Sequence, residues 1–190
     1  MQDLSLHLMD IVENSVRAGA KLVSIRIGID ELSDKIIFDI IDDGCGMDEE
    51  TLINAQNPFY TSKSERQKKV GLGIPLFKQN AEWCNGSFLM KSKVNKGTSL
   101  HAEFQYHHID RMPLGKVADT VVTSIIGHPE TEFDITFYRN QKDGENPVFE
   151  LSTLSIKEEL GDIPINYPDV TQFLFQIFND GIKNTKLEEV

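Results

Sequence analysis

Two aspartates and two glycines follow an apolar run in the segment "IIDDGCGM", residues 40–47. Asp-Gly is a common turn dipeptide, so a simple turn is one interpretation. A hairpin would need a second strand directly afterwards, and the spaced acids of an EF-hand calcium loop are absent. The remaining interpretation is a strand-to-helix junction at which glycines let the backbone approach a ligand closely. A carboxylate held there can accept a hydrogen bond from an exocyclic amine.

Three further segments are candidates for the same ligand site. Asp10 and Asn14 are four residues apart and so lie on one helix face; a carboxylate can orient water, and an amide oxygen suits Mg²⁺. The alternative for this pair is the polar face of a surface helix. "VGLGI" (residues 70–74) has glycines just before a helix, where free N–H groups favour phosphate. "NKGTS" (residues 95–99) is typical of a hairpin turn, and the sequence contains neither a P-loop nor a Rossmann motif.

Taken in order, "DIVENSVRAGA", "DDGCGM", "PFYTSK…VGLGIPL" and "KGTS" resemble the N, G1, F/G2 and G3 boxes of the GHKL ATP-binding superfamily. This superfamily includes gyrase-type topoisomerases, heat-shock chaperone ATPases, sensor histidine kinases and mismatch-repair ATPases. The resemblance covers roughly residues 4–104. It implies ATP and Mg²⁺ as cofactors and a Bergerat-type α/β fold. That fold is a two-layer α+β sandwich with helices on one face of a mixed sheet.

The resemblance also implies roles for single residues. Asn14 matches the residue that coordinates Mg²⁺, and Asp42 matches the one that receives the adenine amine. Asp10 stands where the hydrolytic members usually have the glutamate that activates water and histidine kinases have Asn, so we expect slow hydrolysis. The other residues expected at the nucleotide are Gly44, Gly46, Met47, Lys63, Gly71, Leu72, Gly73 and Thr98.

Three functions remain open at this point. The first is a nucleotide-driven switch with weak ATP hydrolysis. The second is a protein kinase that phosphorylates a histidine or serine of a partner in trans, since Asn14 stands too near the start of the sequence for a phosphoacceptor helical hairpin before it. The third is an ATP-sensing adaptor that does not hydrolyse its ligand. Glu13 lies off the face shared by Asp10 and Asn14, so we do not expect it to be the base.

The elements that must position these residues follow from hydrophobic periodicity. A stripe at helical spacing predicts a helix over residues 4–18, and alternation predicts strands over residues 21–30 and 35–42. Shorter helices are expected after Met47 and from Ile74, followed by two strands joined by a hairpin around residues 95–97. We therefore place an ATP-binding domain at residues 1–106.

Residues 107–190 are expected to form a smaller C-terminal α/β appendage of unknown role. Their pattern indicates a helix that ends near Gly127, two strands ("EFDITFYRN" and "NPVFELSTL") and an amphipathic final helix. The apolar residues of that helix favour core packing, with a protein partner or a homodimer interface as the alternative. They are Phe173, Phe175, Ile177, Phe178 and Ile182.

Composition limits the classes of partner. The net charge of −11 argues against nucleic acid as a main ligand, because duplex binding normally needs a basic surface. A local basic cluster, "KSERQKK" (residues 63–69), is the exception, and in the resemblance it lies in the segment that covers the triphosphate. No apolar run reaches the roughly 20 residues that a membrane span needs. Two cysteines and no signal-peptide pattern predict a cytoplasmic protein.

Overall fold

A computed structural model describes residues 3–58 and 72–187 of the chain. Within these ranges six strands form one sheet in the order β3-β4-β2-β1-β5-β6. The strands are β1 (Leu22–Asp30), β2 (Lys35–Asp42), β3 (Ser87–Lys93), β4 (Gly97–Gln105), β5 (Glu132–Asn140) and β6 (Val148–Ser152). The helices are α1 (Leu4–Arg17), α2 (Glu49–Ala55), α3 (Gly73–Trp83), α4 (Val117–Gly127), α5 (Thr153–Leu160) and α6 (Pro168–Asn184).

The sheet is mixed. β1 pairs in parallel with β5 from Leu22–Glu132 to Asp30–Asn140, and the other neighbouring strands are antiparallel. Alternate side chains of β1 and β2 are buried, whereas Arg26 and Ile41 on the opposite face are exposed. One face of the sheet is therefore packed beneath helices, which confirms the prediction of an α/β fold.

Helix α1 begins where the side chain of Asp3 accepts a hydrogen bond from the backbone N–H of Leu6 at 3.0 Å. An Asp in this N-cap position satisfies a donor that has no partner within the helix. The apolar stripe of α1 is buried and contacts α3 and α4. This packing fixes the rotation of α1, so Asp10 and Asn14 remain on its exposed face.

Two aromatic clusters fill the core on the helix side of the sheet. Phe38, Phe77 and Phe104 are fully buried, with ring centroids 5.1–5.8 Å apart. The second cluster joins β5, β6 and α6, and consists of Phe137, Phe149 and Phe178. Edge-to-face and tilted arrangements predominate, as the quadrupole of an aromatic ring favours.

The strand expected over "NPVFELSTL" is shorter than predicted, because it ends at Ser152 and the unpredicted helix α5 begins at Thr153. The reason lies in the side chain of Thr153, which is fully buried. Its hydroxyl accepts a hydrogen bond from the backbone N–H of Phe133 at 2.8 Å and donates to Glu132 at 2.6 Å. The N–H of Phe133 thus bonds to the side chain of Thr153 and not to a backbone carbonyl of β6, so the chain leaves the sheet at Thr153.

The C-terminal part continues the sheet of the N-terminal part through β5 and β6. The division into residues 1–106 and 107–190 remains a prediction. Core packing is confirmed for Phe178 and Ile182 of α6, whereas Phe173 is 53% exposed. Among the described residues, none of the helices combines the length and apolar character needed to cross a bilayer.

Candidate functional site

Asp42, the last residue of β2, is buried and held by three hydrogen-bond donors. Its Oδ2 accepts from the hydroxyl of Ser15 at 2.8 Å. Its Oδ1 accepts from the backbone N–H groups of Gly44 at 3.0 Å and Thr98 at 3.2 Å. Helix α1, the strand-to-helix junction and β4 therefore meet at one carboxylate whose orientation is fixed.

The neighbouring Asp43 has a different task. Its Oδ1 accepts hydrogen bonds from the backbone N–H groups of Lys21 and Leu22, at 2.7 and 2.9 Å. These bonds tie the junction to the start of β1. Asp43 therefore has a structural function, and the selection of Asp42 as the ligand-binding residue of the pair stays a prediction.

The glycines of the junction lie where a side chain has no room. A Cβ on Gly44 would lie 2.9 Å from the Cβ of Ala18. Gly46 has a φ of +64°, and a Cβ there would lie 2.1 Å from the carbonyl oxygen of Lys93. The junction thus packs directly on the end of α1 and on the β3–β4 hairpin.

Ser92 on β3 connects three parts of the site. Its hydroxyl accepts from the backbone N–H of Met47 at 2.8 Å, contacts the hydroxyl of Thr98 at 2.9 Å, and donates to the carbonyl of Gly97 at 2.9 Å. Thr98 contacts Asp42 through its backbone N–H, so its hydroxyl is used to fix Ser92. This network holds the carboxylate, the junction and the hairpin in one arrangement.

A cavity of about 300 Å³ opens beside Asp42. Its volume lies at the lower end of the range for small-molecule sites. Apolar side chains form most of the wall, and the polar groups Asn14, Ser15, Asp42 and Thr98 lie among them. The lining residues are Ile11, Asn14, Ser15, Ala18, Ile40, Asp42, Cys45, Gly46, Met47, Thr51, Asn54, Ala55, Ile74, Met90, Thr98 and Leu100.

Asp10 lies one turn before Asn14 in α1, and it is in close contact with Gly73, the first residue of α3. A Cβ on Gly73 would lie 2.6 Å from the Cβ of Asp10 and 2.8 Å from its Oδ2. The carboxylate of Asp10 therefore lies against the N-terminus of α3, where free N–H groups favour negative charge. Asn14, one turn further along α1, lines the cavity.

His7 links the same two helices from inside the core. It is fully buried, its Nδ1 lies 3.3 Å from the carbonyl oxygen of Gly73, and its ring contacts Phe77. Burial lowers the pKa of His7 below 6.5, and the contact with the Gly73 carbonyl and the charge of Asp10 oppose this only in part. His7 is therefore a neutral ring that donates from Nδ1 to the carbonyl of Gly73. This hydrogen bond connects the start of α3 to α1.

The structure brings together Asn14, Asp42, Gly46, Met47 and Thr98 around the cavity. Gly44 lies behind Asp42, and Gly73 lies against Asp10, next to the cavity residue Ile74. Leu72 precedes α3 as its N-cap residue and does not line the cavity. Lys63 and Gly71, with the rest of the basic cluster, lie outside the described residues.

Glu13 is held away from the cavity by a partner in the C-terminal part. His128, at the end of α4, lies with its Nε2 2.7 Å from Oε1 of Glu13. Arg17 approaches the same carboxylate at 3.8 Å. Glu13 therefore connects α1 to α4, in agreement with the expectation that it lies off the face of Asp10 and Asn14.

Sequence reasoning missed Ser15, Ser92 and His7 as supporting residues. Ser15 and His7 belong to the buried face of α1, and a polar side chain in an apolar stripe needs a hydrogen-bond partner. That signal was available in the sequence. Ser92 gave no such signal, because its position opposite Met47 depends on the packing of the hairpin against the junction.

The N-terminal part of the chain matches a known protein family. Residues 2–108 match the family model described as histidine kinase-, DNA gyrase B- and HSP90-like ATPase. Two curated relatives from Bacillus are the sensor histidine kinase YvrG of Bacillus subtilis (strain 168), 28% identical over 52% of this chain, and the sensor protein DegM of Bacillus sp. (strain B21-2), 30% identical over 49%. The chain spans only 17% and 24% of the length of these relatives.

A solved structure shares the fold over a longer part of the chain. The N-terminal domain of a DNA repair protein superposes with a TM-score of 0.50 over 80% of this chain and 53% of that protein, at 16% identity. At this identity the likeness concerns the fold alone. The family model covers more than half of the chain, including the strand-to-helix junction and both α1 and α3. The chain belongs to the histidine kinase-, DNA gyrase B- and HSP90-like ATPase family.

Proposed function

We propose that the protein binds ATP with Mg²⁺ and acts as a nucleotide-driven switch with weak ATP hydrolysis. The observation that supports this most directly is the buried carboxylate of Asp42 at the wall of the cavity. An ionised carboxylate has about four acceptor positions. Ser15, Gly44 and Thr98 use three of them. One acceptor position therefore remains for a donor on the ligand, and the exocyclic amine of adenine is such a donor.

The apolar part of the cavity suits the faces of a purine ring. Ile40, Met47, Met90 and Leu100 line it on the sheet side and at the junction. A flat heteroaromatic ring buries both faces against such side chains while its amine reaches the carboxylate. The proposed orientation places adenine near Asp42 and the phosphates toward Asn14 and α3.

The donors near the phosphates suit Mg²⁺ bound jointly with the nucleotide. Among the described residues, no three His, Cys, Asp or Glu side chains are grouped so as to hold a metal ion. Mg²⁺ commonly takes one or two protein oxygens and completes its shell with phosphate oxygens and waters. The amide oxygen of Asn14 would supply the protein ligand, and Lys63 and Gly71 would contact the phosphates.

Asp10 is the proposed base for hydrolysis. It lies on the same exposed face of α1 as Asn14, one turn nearer to the N-terminus. Its carboxylate can orient a water toward the terminal phosphate, although it is one methylene shorter than glutamate. Hydrolysis at a low rate follows from this shorter reach.

Incubation with γ-labelled ATP separates the candidate reactions. We expect free phosphate to accumulate with the wild-type protein, and to disappear in Asp10→Asn while ATP binding is retained. Glu13→Gln is the matched control, because Glu13 is held by His128 and should not affect turnover. Equal phosphate release from Asp10→Asn and the wild type would contradict the assignment of the base.

A second candidate, phosphotransfer to a partner protein, is favoured by the similarity to two bacterial sensor proteins. The same incubation tests it when cell extract is added. Protein-bound label that depends on the presence of this chain would support a kinase acting in trans. Binding without free phosphate or bound label would support the ATP-sensing adaptor.

A further inference from the structure

The outward face of the β3–β4 hairpin has three exposed lysines around a second cavity, which is a shallow depression open to solvent. Its volume is about 240 Å³. Among the described residues, the side chains of Lys91, Lys93 and Lys96 have neither a hydrogen bond nor an ion pair, whereas Lys35 and Lys157 have carboxylate partners. The lining residues are Ile41, Asp42, Lys91, Ser92, Lys93, Lys96, Gly97, Thr98 and Ser99. Three uncompensated cations are thus grouped in a chain of net charge −11.

Apolar side chains accompany these lysines. Leu89, Lys91 and Lys93 lie on one face of β3, because successive strand residues alternate. Leu89 is 50% exposed, and Ile41, which belongs to the same row of the sheet as Lys91, is 53% exposed. We call Ile41, Leu89, Lys91, Lys93 and Lys96 the lysine face. β3 is also an outermost strand of the sheet.

The backbone behind the lysine face forms the rear of the first cavity. A Cβ on Gly97 would lie 1.8 Å from the carbonyl oxygen of Asp42, and one on Gly46 would lie 2.1 Å from that of Lys93. The N–H of Asn95 donates to the carbonyl of Cys45 at 2.7 Å. Asp42 and Thr98 line both cavities. A displacement of the hairpin must therefore move the junction that contains Asp42.

We propose that the lysine face binds an acidic segment of a partner protein, and that the bound segment changes the affinity of the first cavity for nucleotide. The second half of this proposal rests on the proposed function. Charge complementarity selects an anionic partner, and the exposed Ile41 and Leu89 select a polypeptide rather than a free phosphate. An extended segment that carries carboxylates and apolar side chains together on one face, at every second position, matches β3, where Leu89, Lys91 and Lys93 share one face.

Fluorescence anisotropy with a labelled peptide tests the docking. The probe is a peptide of about eight residues with glutamate or valine at every second position and serine between them, and glutamine replaces glutamate in the control peptide. We expect Lys91→Glu and Lys93→Glu each to weaken binding by about tenfold, because attraction becomes repulsion. Lys142→Glu is the matched control, since Lys142 is exposed in the turn between β5 and β6. Equal affinities for all variants, or equal binding of the glutamine peptide, would overturn the docking site.

The coupling is tested by repeating both titrations with the second ligand present. We expect a saturating non-hydrolysable ATP analogue to change peptide affinity by about fivefold, and the peptide to change analogue affinity by the same factor, because linkage is reciprocal. An unchanged affinity in both directions would overturn the coupling and leave the docking intact. Peptide binding by a protein that binds no ATP analogue would overturn the proposed function and the coupling while the docking persists.

Discussion

At the residue scale, the two adjacent aspartates show how position decides chemistry. Successive side chains of an extended chain point to opposite sides. Asp42 therefore points to the helix side of the sheet and into the cavity, whereas Asp43 reaches the backbone of Lys21 and Leu22. Dipeptide composition does not distinguish them. The distinction follows from the strand that ends at Asp42 and from the glycines that follow it.

The donor on Ser15 gives a test of how Asp42 is positioned. Ser15→Ala removes one of its three donors, and we expect ATP affinity to fall by about tenfold, since a hydrogen bond to a charged group contributes about 1.5 kcal/mol or more. Ser124→Ala is the matched control, because Ser124 is a buried helical serine of α4 whose hydroxyl bonds the carbonyl of Thr120. Calorimetric titration of both variants gives the comparison. An equal loss of affinity in both would show a general effect on stability instead.

His7 makes a pH-dependent contribution to stability. Its pKa in the folded state is below 6.5 because of burial, so the unfolded chain binds more protons as the pH falls through 6.5. The stabilisation of the fold by the neutral ring is therefore fully present above pH 6.5 and is lost progressively as the pH falls below this value. The measurement is urea unfolding at pH 7.5 and at pH 5.5. From the higher to the lower pH, we expect the unfolding free energy of His7→Phe to fall by less than that of the wild type. An equal loss in both proteins would contradict the assignment of a buried neutral ring.

At the element scale, the hairpin and the junction behave as one unit because glycine backbones lie in direct contact. Gly46 and Gly97 each face a carbonyl group at a distance that excludes a side chain. Both also have positive φ, which glycine adopts without strain. The geometry around Asp42 therefore depends on a strand pair distant in sequence as well as on its own loop.

A pair of glycine substitutions separates collision from backbone strain. Gly46→Ala and Gly19→Ala both place alanine at positive φ, but a Cβ on Gly19 would meet nothing within 4 Å. We expect Gly19→Ala to lower the unfolding free energy by about 1 kcal/mol. Gly46→Ala should lower it by about 3 kcal/mol, because it adds overpacking against Lys93. Equal urea midpoints for the two variants would show that the contact with the hairpin has no energetic weight.

Local patterns were sufficient to predict α1, β1, β2 and the β3–β4 hairpin. Each has a stripe or alternation of its own, and the two strands of the hairpin are neighbours in sequence. Helix α5 escaped prediction because its start depends on Thr153 bonding to β5. The predicted site residues Asn14, Asp42 and Thr98 meet at one cavity, whereas the hydroxyl of Ser92 reaches the junction only through tertiary packing.

At the scale of the whole molecule, the N-terminal and C-terminal parts share one sheet and one group of helices. β5 pairs with β1 along its full length, and α4 contacts both α1 and α6. Arg139 of β5 is 7% exposed, donates to Glu31 at 2.7 Å and donates to the carbonyl of Lys186 at 2.8 Å. The pairing of β1 with β5 joins residues more than a hundred positions apart, so no local pattern predicts it.

Truncation tests this shared sheet. A fragment of residues 1–108 would expose the long edge of β1 and the side of α1 that contacts α4. We expect it to unfold at a lower urea concentration than the whole chain and to bind the dye ANS, because apolar surface becomes accessible. A fragment with the urea midpoint of the whole chain and no dye binding would instead support an independent domain at residues 1–106.

Calorimetric titration with Mg²⁺-ATP tests the central claim most directly, in the wild type, Asp42→Asn and Asp43→Asn. We expect Asp42→Asn to weaken ATP binding by about 10- to 100-fold, since a hydrogen bond to a charged group contributes about 1.5–3 kcal/mol. Asp43→Asn should keep the wild-type affinity, because Asp43 holds only the start of β1. Unchanged ATP affinity in Asp42→Asn, or no binding by the wild type, would contradict the proposed nucleotide site.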